Sequence, residues 1–526
     1  MTVIGAYVDQ LAITPMLIAL AAAVLTLLVR ARGRLQQAIS LLGSVGYLIA
    51  VAALFEQVAT GGPIAYQLSG WPAPFGITIV ADSLSTFMLA LTAIVSLAAT
   101  AFSIRYIDTY GQRLAYHPLF HLMIVGISGA FLTGDIFNLF VWFEVMLMAS
   151  YVLVVFYSGP RHTRAALNYV VLNLVGSAVM LLAIGGIYAT TGTLNMADLA
   201  RRLSDPQAYN VALLPILGLS ALLFTVFALK AGIVPFQFWV PGAYRAAPAP
   251  ITAMLAGVVK KVGIYAMIRL YFTVFAAAEL PLSMPGIQGT SFLAFYGPVL
   301  FLMAAASILL GGVAAVSRND IDSLLSYSSI SQVGFIVMPL AVGATVPAVR
   351  PLAITAALIY TLNHAIAKGT LFLTSGAIYD AVGSIEFVGI GGLTEETPAL
   401  SVAFFLGGLA LIGIPPLSGF FGKLLVFDVV SRAGADAALA FVLFGAILTI
   451  AYISKAWNRG FWGPPTDAVL AADDRPSIVA IVLTLSIALL AIGIGFEPVL
   501  RAAEAATTAA LDRGAYIETV LGGAPE

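Results

Sequence analysis

Seven ionisable side chains interrupt long apolar runs of this chain: Glu144, Lys230, Lys260, Lys261, His364, Lys368 and Lys423. A lysine at a bilayer centre costs about 2.5–3.5 kcal/mol on insertion scales, so its presence there points to function. Glu144 lies in Phe-Val-Trp-Phe-Glu-Val-Met, and Lys230 is its natural partner. Burial favours a neutral amine, whereas a carboxylate nearby favours the ammonium. A lysine moving between those environments takes up and releases a proton. His364 and Lys368 stand at i and i+4, on one helical face, and form a plausible relay pair. Lys260 and Lys261 are about 100° apart on a helix. Both cannot line one narrow path, and the spacing leaves open which of them does. Lys423 has Asp428 five residues on as a possible partner.

This inventory suits proton transfer, and no catalytic residue is expected. The chain has no cysteine, which excludes disulfides, thiolate metal sites and cysteine-ligated iron–sulfur clusters. Its four histidines show no metal-ligand spacing, and no glycine-rich phosphate loop follows a strand. No cofactor and no metal are expected. A net charge of -1 argues against a nucleic-acid surface.

The elements that position these residues are membrane helices. The 526 residues are 61% hydrophobic and 9% charged, against about 25% charged in soluble domains. Fourteen apolar runs are long enough to span, near 11–29, 37–55, 77–103, 118–133, 136–158, 165–190, 211–234, 249–276, 293–316, 322–343, 351–379, 400–430, 436–457 and 476–499. Lysines and arginines between runs or toward their ends divide unevenly. One face takes twelve (Arg30, Arg32, Arg34, Arg105, Arg113, Arg161, Arg164, Arg245, Arg318, Lys455, Arg459 and Arg475). The other takes seven (Arg201, Arg202, Arg269, Arg350, Arg432, Arg501 and Arg513). The positive-inside rule then predicts both termini outside the cell. No cleavable leader is expected, because Asp9 precedes the first run and the basic residues follow it.

Two segments repeat. GDIFNLFVWFEVML (134–147) aligns with NDIDSLLSYSSISQ (319–332), and LNYVVLNLVGSAVMLLAIGGIY (167–188) with LIYTLNHAIAKGTLFLTSGAIY (358–379). GIVP at 232–235 matches GIPP at 413–416 more weakly. The expected fold is therefore an all-α polytopic membrane domain spanning 1–526. It has N-terminal helices in 1–110, two inverted five-helix repeats (runs 4–8 in 118–276 and runs 9–13 in 293–457) and a last helix at 476–499. Pro235 in one repeat, and Pro415 and Pro416 in the other, should break a helix at membrane depth. Such breaks are tolerated where backbone faces protein or a wet cavity. Asp82 and Asp135 read as helix caps, 195–209 as an amphipathic surface helix, Glu386, Glu395 and Glu396 as an acidic turn, and 500–526 as an uninformative polar tail.

Several motifs carry a resemblance. They are Glu144 in the fifth run, Leu-Lys-Ala-Gly-x-x-Pro-x-x-x-Trp-x-Pro in the seventh, Lys-Val-Gly-x-Tyr in the eighth and Asn-His-Ala-x-x-Lys in the eleventh. Over about residues 75–460 the chain resembles the antiporter-like subunits of respiratory complex I and of Mrp-type multisubunit sodium/proton antiporters. The stretch around Glu144, and a lysine at 423 where one complex I type carries glutamate, most resemble the Mrp D-subunit type. The chain also ends soon after its last run, without the long lateral helix of the largest complex I relative. The resemblance implies a hydrated proton axis along Glu144, Lys230, Lys261, His364, Lys368 and Lys423, with half-channels at the broken helices; Lys260 has no counterpart. It also implies other membrane subunits of a hetero-oligomeric antiporter as partners, in a bacterial or archaeal cell membrane. H⁺, with Na⁺, would be the transported ion. The alternative it leaves is a pumping subunit of a complex I-type oxidoreductase or membrane hydrogenase.

Overall fold

A computed structural model describes residues 9–284 and 287–522. The membrane helices are α1 (Thr14–Leu28), α2 (Gly33–Gly61), α3 (Ser83–Tyr106), α4 (Tyr116–Leu132), α5 (Ile136–Val154), α6 (Pro160–Thr191) and α7 (Leu213–Ala231). They continue with α8 (Trp239–Ala246), α9 (Ala249–Ala277), α10 (Phe292–Val316), α11 (Ile321–Thr345), α12 (Arg350–Val382), α13 (Pro398–Ile412), α14 (Ser418–Arg432), α15 (Asp436–Phe461) and α16 (Pro476–Ile494). Among the described residues ten helices are long and apolar enough to cross a membrane, and α1, α4 and α13 are shorter apolar helices. Two short antiparallel strand pairs, β1 (Ile64–Gln67) with β2 (Thr78–Ala81) and β3 (Glu279–Met284) with β4 (Ile287–Ser291), precede α3 and α10. The third expected run thus opens as a strand, and the twelfth is two helices.

Burial sorts the helices into layers. In α2 and α15 a third of the apolar window is buried, as lipid-facing helices require, while in α9 all of it is and in α11 94%. The interior is therefore α9, α11 and α12, which carry four of the seven ionisable residues. A helix buried on every side has no solvated face for a charge, so Lys260, Lys261, His364 and Lys368 must bond within the bundle. Helix α9 also departs from regular winding, with π-helical turns at Leu255–Val259 and Ile268–Val274. Such turns leave i−4 carbonyls free for other donors.

Both interruptions begin at a glycine before the prolines. Helix α7 stops at Gly232, whose φ of +66° is left-handed, with Ile233 N–H donating to Ala228 O at 3.0 Å. Helix α13 stops at Gly413, φ +89°, with Ile414 N–H donating to Leu409 O at 3.1 Å. The same helix-terminating geometry thus serves both, and Pro235, Pro415 and Pro416 lie within the gaps. Similar economy appears at Asp135 and Asp320, which cap α5 and α11 by accepting from Asn138 and Ser323 N–H, both at 2.7 Å. Their backbones pair with Asn195 and Glu386, each just beyond the following helix.

The tail is not the featureless polar segment that its composition suggests. Residues 496–521 form two further helices, α17 (Phe496–Leu511) and α18 (Arg513–Leu521), that bury Ala503, Ala506, Ala510, Tyr516 and Val520. Their apolar positions recur at helical spacing, so they pack as a cover. Thr507 bonds Thr355 of α12 at 2.8 Å, and Thr273 of α9 donates to Ala510 O at 2.7 Å. The helix Met196–Ser204 is amphipathic as expected. Its Asp198 is fully buried and binds Arg201 and Arg202 at 2.6 and 2.9 Å. Arg269, expected toward the end of its run, is buried in α9 and ion-paired with Asp82. Asp82 therefore both caps α3 and neutralises a guanidinium.

Candidate functional site

At one end of the row Glu144 is half-buried in α5. Lys230 is 3% exposed in the last turn of α7. Their expected direct pairing is not made. Ser177 of α6 stands between them, donating to Glu144 Oε1 and accepting from Lys230 Nζ at 3.3 Å. A hydroxyl is both donor and acceptor, so it can pass a proton that a carboxylate–ammonium contact would hold. Beyond Lys230 the gap is secured from outside the helix. Trp239 Nε1–H donates to Leu229 O at 2.8 Å, and Val234 N–H donates to Ser307 Oγ at 3.0 Å. These bonds satisfy groups that an interrupted helix leaves free.

Lys260 and Lys261 are both fully buried. They diverge as the 100° separation requires, yet each reaches the interior. Lys260 Nζ donates to Ser329 O of α11 at 3.3 Å and lies 3.7 Å from where a Cβ on Gly232 would stand. It therefore adjoins the first gap. Lys261 Nζ donates to Ala256 O, in the π-helical turn of its own helix, at 2.6 Å. It also lies 2.7 Å from His364 Nδ1 of α12. An ammonium has only donors, so a charged Lys261 requires Nδ1 to accept and puts the imidazole proton on Nε2. Among the described residues His364 Nε2 has no hydrogen-bond partner.

His364 and Lys368 share a face but do not bond each other. Lys368 Nζ donates to Leu325 O and Ser328 Oγ of α11, both at 2.8 Å. Beyond them Gln332 links Tyr360, Tyr452 and Thr449. Tyr360 Oη donates to Gln332 Oε1, and Gln332 Nε2 donates to Tyr452 at 2.8 Å and Thr449 at 3.1 Å. Tyr360 stacks on Phe335, and Phe335 in turn faces Lys423 Nζ at 5.1 Å. Lys423 reaches back across the second gap to Ile412 O at 2.9 Å, the last carbonyl of α13. A cation there complements the helix C-terminus. Asp428 is not its partner. It binds Arg432 at 2.7 Å, one turn along an exposed face.

Two residues beside the expected ones gain roles. Asn363 accepts from Ser418 Oγ at 2.8 Å and donates to Ala410 O at 3.4 Å, so it ties α12 to both sides of the second gap. The Asn-His pair in the eleventh run thus serves two neighbours. Ser177 carries no sequence signal as a lone serine in an apolar run; alignment of the repeats places it opposite Lys368. Among the described residues, none of the five buried lysines has a carboxylate within 4.0 Å.

The bundle defines a polytopic membrane protein whose interior holds a set of buried bases and two interrupted helices. Residues 133–449 match the family described as NADH:quinone oxidoreductase/Mrp antiporter, transmembrane, and the chain belongs to that family. It is 34% identical to the D subunit of the Na(+)/H(+) antiporter of Alkalihalophilus pseudofirmus over 98% of this chain and 99% of that one. It is 36% identical to the N subunit of the NADH-quinone oxidoreductase of Desulforudis audaxviator over 86% of each. Among solved structures it is similar to a chain of the Mrp complex from Dietzia sp. DQ12-45-1b, with a TM-score of 0.86 and 29% identity over 99% of this chain and 100% of that one.

Proposed function

We propose that this chain is the D-type subunit of a multisubunit Na⁺/H⁺ antiporter, a secondary-transport component of a hetero-oligomeric membrane complex. It carries protons along Glu144, Ser177, Lys230, Lys260, Lys261, His364, Lys368 and Lys423. The observation that carries this reading is the set of five buried lysines without a carboxylate partner. Buried charges are retained for stability only when paired. Crowded amines in a low dielectric disfavour simultaneous protonation, so a proton arriving at one site promotes departure from the next. Residues 118–276 and 293–457 are read as two copies of one unit, related by their matching gaps and caps. The arginine-rich face is read as cytoplasmic, with both termini outside a bacterial or archaeal cell membrane.

Glu144 marks where a neighbour belongs. A half-exposed carboxyl at membrane depth is costly against lipid, so another member of the complex covers it. Na⁺ is read as crossing elsewhere in the assembly, because one carboxylate among lysines makes a poor cation site. Reconstitution tests this division. Na⁺-dependent proton flux should appear in vesicles holding the full complex and be absent with this chain alone. Equal flux from the chain alone would overturn it.

Ser177 offers a finer test. Ser177→Val removes the hydroxyl between Glu144 and Lys230 and should lower antiport about tenfold or more, while Ser177→Thr keeps the hydroxyl and most of the flux. Equal rates for the two variants would show that no proton passes there. The similarity to the quinone oxidoreductase chain supports a second reading, in which a redox partner drives the same axis. Purification of the native complex separates them, since small antiporter subunits favour the first and flavin or iron–sulfur subunits the second.

A further inference from the structure

Asp322 is neither one of the axis residues nor the cap of its helix. Asp320 already caps α11, and Arg245 approaches Asp320 at 4.0 Å. Asp322 instead accepts a hydrogen bond from Ser375 Oγ of α12 at 2.6 Å. Both side chains line a cavity of about 730 Å³ between α9, α11 and α12. The exposed Arg161 and Arg245 stand at its mouth on the arginine-rich face, and Thr252 and Phe372 line its wall. Phe372 is 1% exposed, and its ring centre lies 5.9 Å from Lys368 Nζ. Tyr244 packs edge-on against that ring at 5.5 Å and itself lies 6.0 Å from Lys260 Nζ. The cavity thus stops one aromatic layer short of Lys368 and Lys260.

We propose that this cavity is the aqueous entry to the axis from the arginine-rich face. Asp322 is its proton acceptor, Ser375 its positioning partner and Phe372 the apolar gate. The inference rests on the proton-transport reading above. A carboxylate on a wet wall takes a proton from water, and the mouth arginines hold counter-anions and buffer near it. Displacement of the Phe372 ring lets water reach Lys368, since apolar constrictions gate by wetting. The proton leaves the Asp322 carboxyl, restoring the carboxylate, and a neutral Lys368 amine takes it to become an ammonium. Other ionisable groups at the cavity are unsuited to this transfer. Asp380 is tied to Arg475 at 2.5 Å, and His162 Nδ1 bonds Ala246 O at 2.9 Å.

Because the chain has no cysteine, a single introduced thiol reports on the cavity directly. In the assembled complex, Ser375→Cys and Thr252→Cys should each be labelled by a membrane-impermeant thiol reagent from the arginine-rich face and not from the other. Labelling is read by mass on this chain. Asp322→Asn should lower antiport about tenfold or more with the complex intact. Failure of both thiols to react from that face would overturn the entry route. So would wild-type flux in Asp322→Asn when Lys230→Arg abolishes flux, which leaves the axis standing. Wild-type flux in Lys230→Arg would overturn the axis itself, and this entry with it.

Discussion

Lys230→Arg should leave the complex assembled and lower proton-coupled Na⁺ efflux by about a hundredfold or more. Arginine keeps the positive charge that faces Glu144 through Ser177, so the electrostatics of the closed row survive. It does not release its proton in a protein, so it cannot serve as a link. Lys230→Ala removes the charge as well. It takes away the Nζ that bonds Ser177 and empties the buried space the side chain fills, which costs stability. The two variants should therefore be equally inactive but differ in yield of assembled complex. Efflux in inverted vesicles and native-gel assembly together read both. Wild-type efflux from Lys230→Arg would remove Lys230 from the pathway. A third possibility, a membrane scaffold with vestigial charges, predicts that neutralising Glu144 and Lys230 together alters assembly and leaves efflux unchanged.

A second large effect is expected in α14, where one glycine sets how closely the second gap closes. A Cβ on Gly419 would lie 1.7 Å from Ala410 O and 2.9 Å from Asn363 Nδ2. The first is a backbone atom that cannot rotate away, so Gly419→Ala must push α14 from α13. Overpacking typically costs about 1–3 kcal/mol, and a collision with main chain belongs at or above the top of that range. The displaced segment carries Ser418 and Lys423, so the Asn363 clamp and the Ile412 carbonyl bond are both lost. Gly419→Ala should therefore sharply reduce assembled complex and its thermal midpoint. Gly185→Ala in α6, where a Cβ meets nothing within 4 Å, is the control. It should be neutral, or stabilising by up to about 1 kcal/mol through helix propensity. Equal stability of the two variants would refute the close approach.

The sequence by itself determined the class of fold, because apolar run length and lysine placement are one-dimensional properties. Fourteen runs, two Gly-x-x-Pro interruptions and a row of intramembrane charges need no tertiary contact to be seen. The candidate residues were legible for the same reason, since Lys230, Lys261, His364, Lys368 and Lys423 are each conspicuous against aliphatic neighbours. Even the termination signal was present as Gly232 and Gly413, although proline, the more obvious breaker, drew the reading first.

Partnership is a different matter. Residues 33, 53 or 103 positions apart meet only when helices pack, and no spacing rule spans such distances. Ser177 between Glu144 and Lys230, Lys261 on His364, and Lys260 on Ser329 were therefore decided by the arrangement of α5 to α7 and of α9, α11 and α12. The same holds for Asp428, whose sequence distance from Lys423 suggested a pair. The helix turns it outward to Arg432. Arg269 stands in the last part of its run and reads as a cation of that end, and only the approach of α3 revealed Asp82 as its counter-ion. The tail read as polar because its small apolar residues are diluted by threonines and charged residues; their single face becomes visible when α9 and α12 lie beneath it. Charge and hydropathy told where protons could rest in this chain. Helix packing alone set which resting place adjoins which, because hydrogen bonds act over about 3 Å and only the folded bundle brings these groups that close.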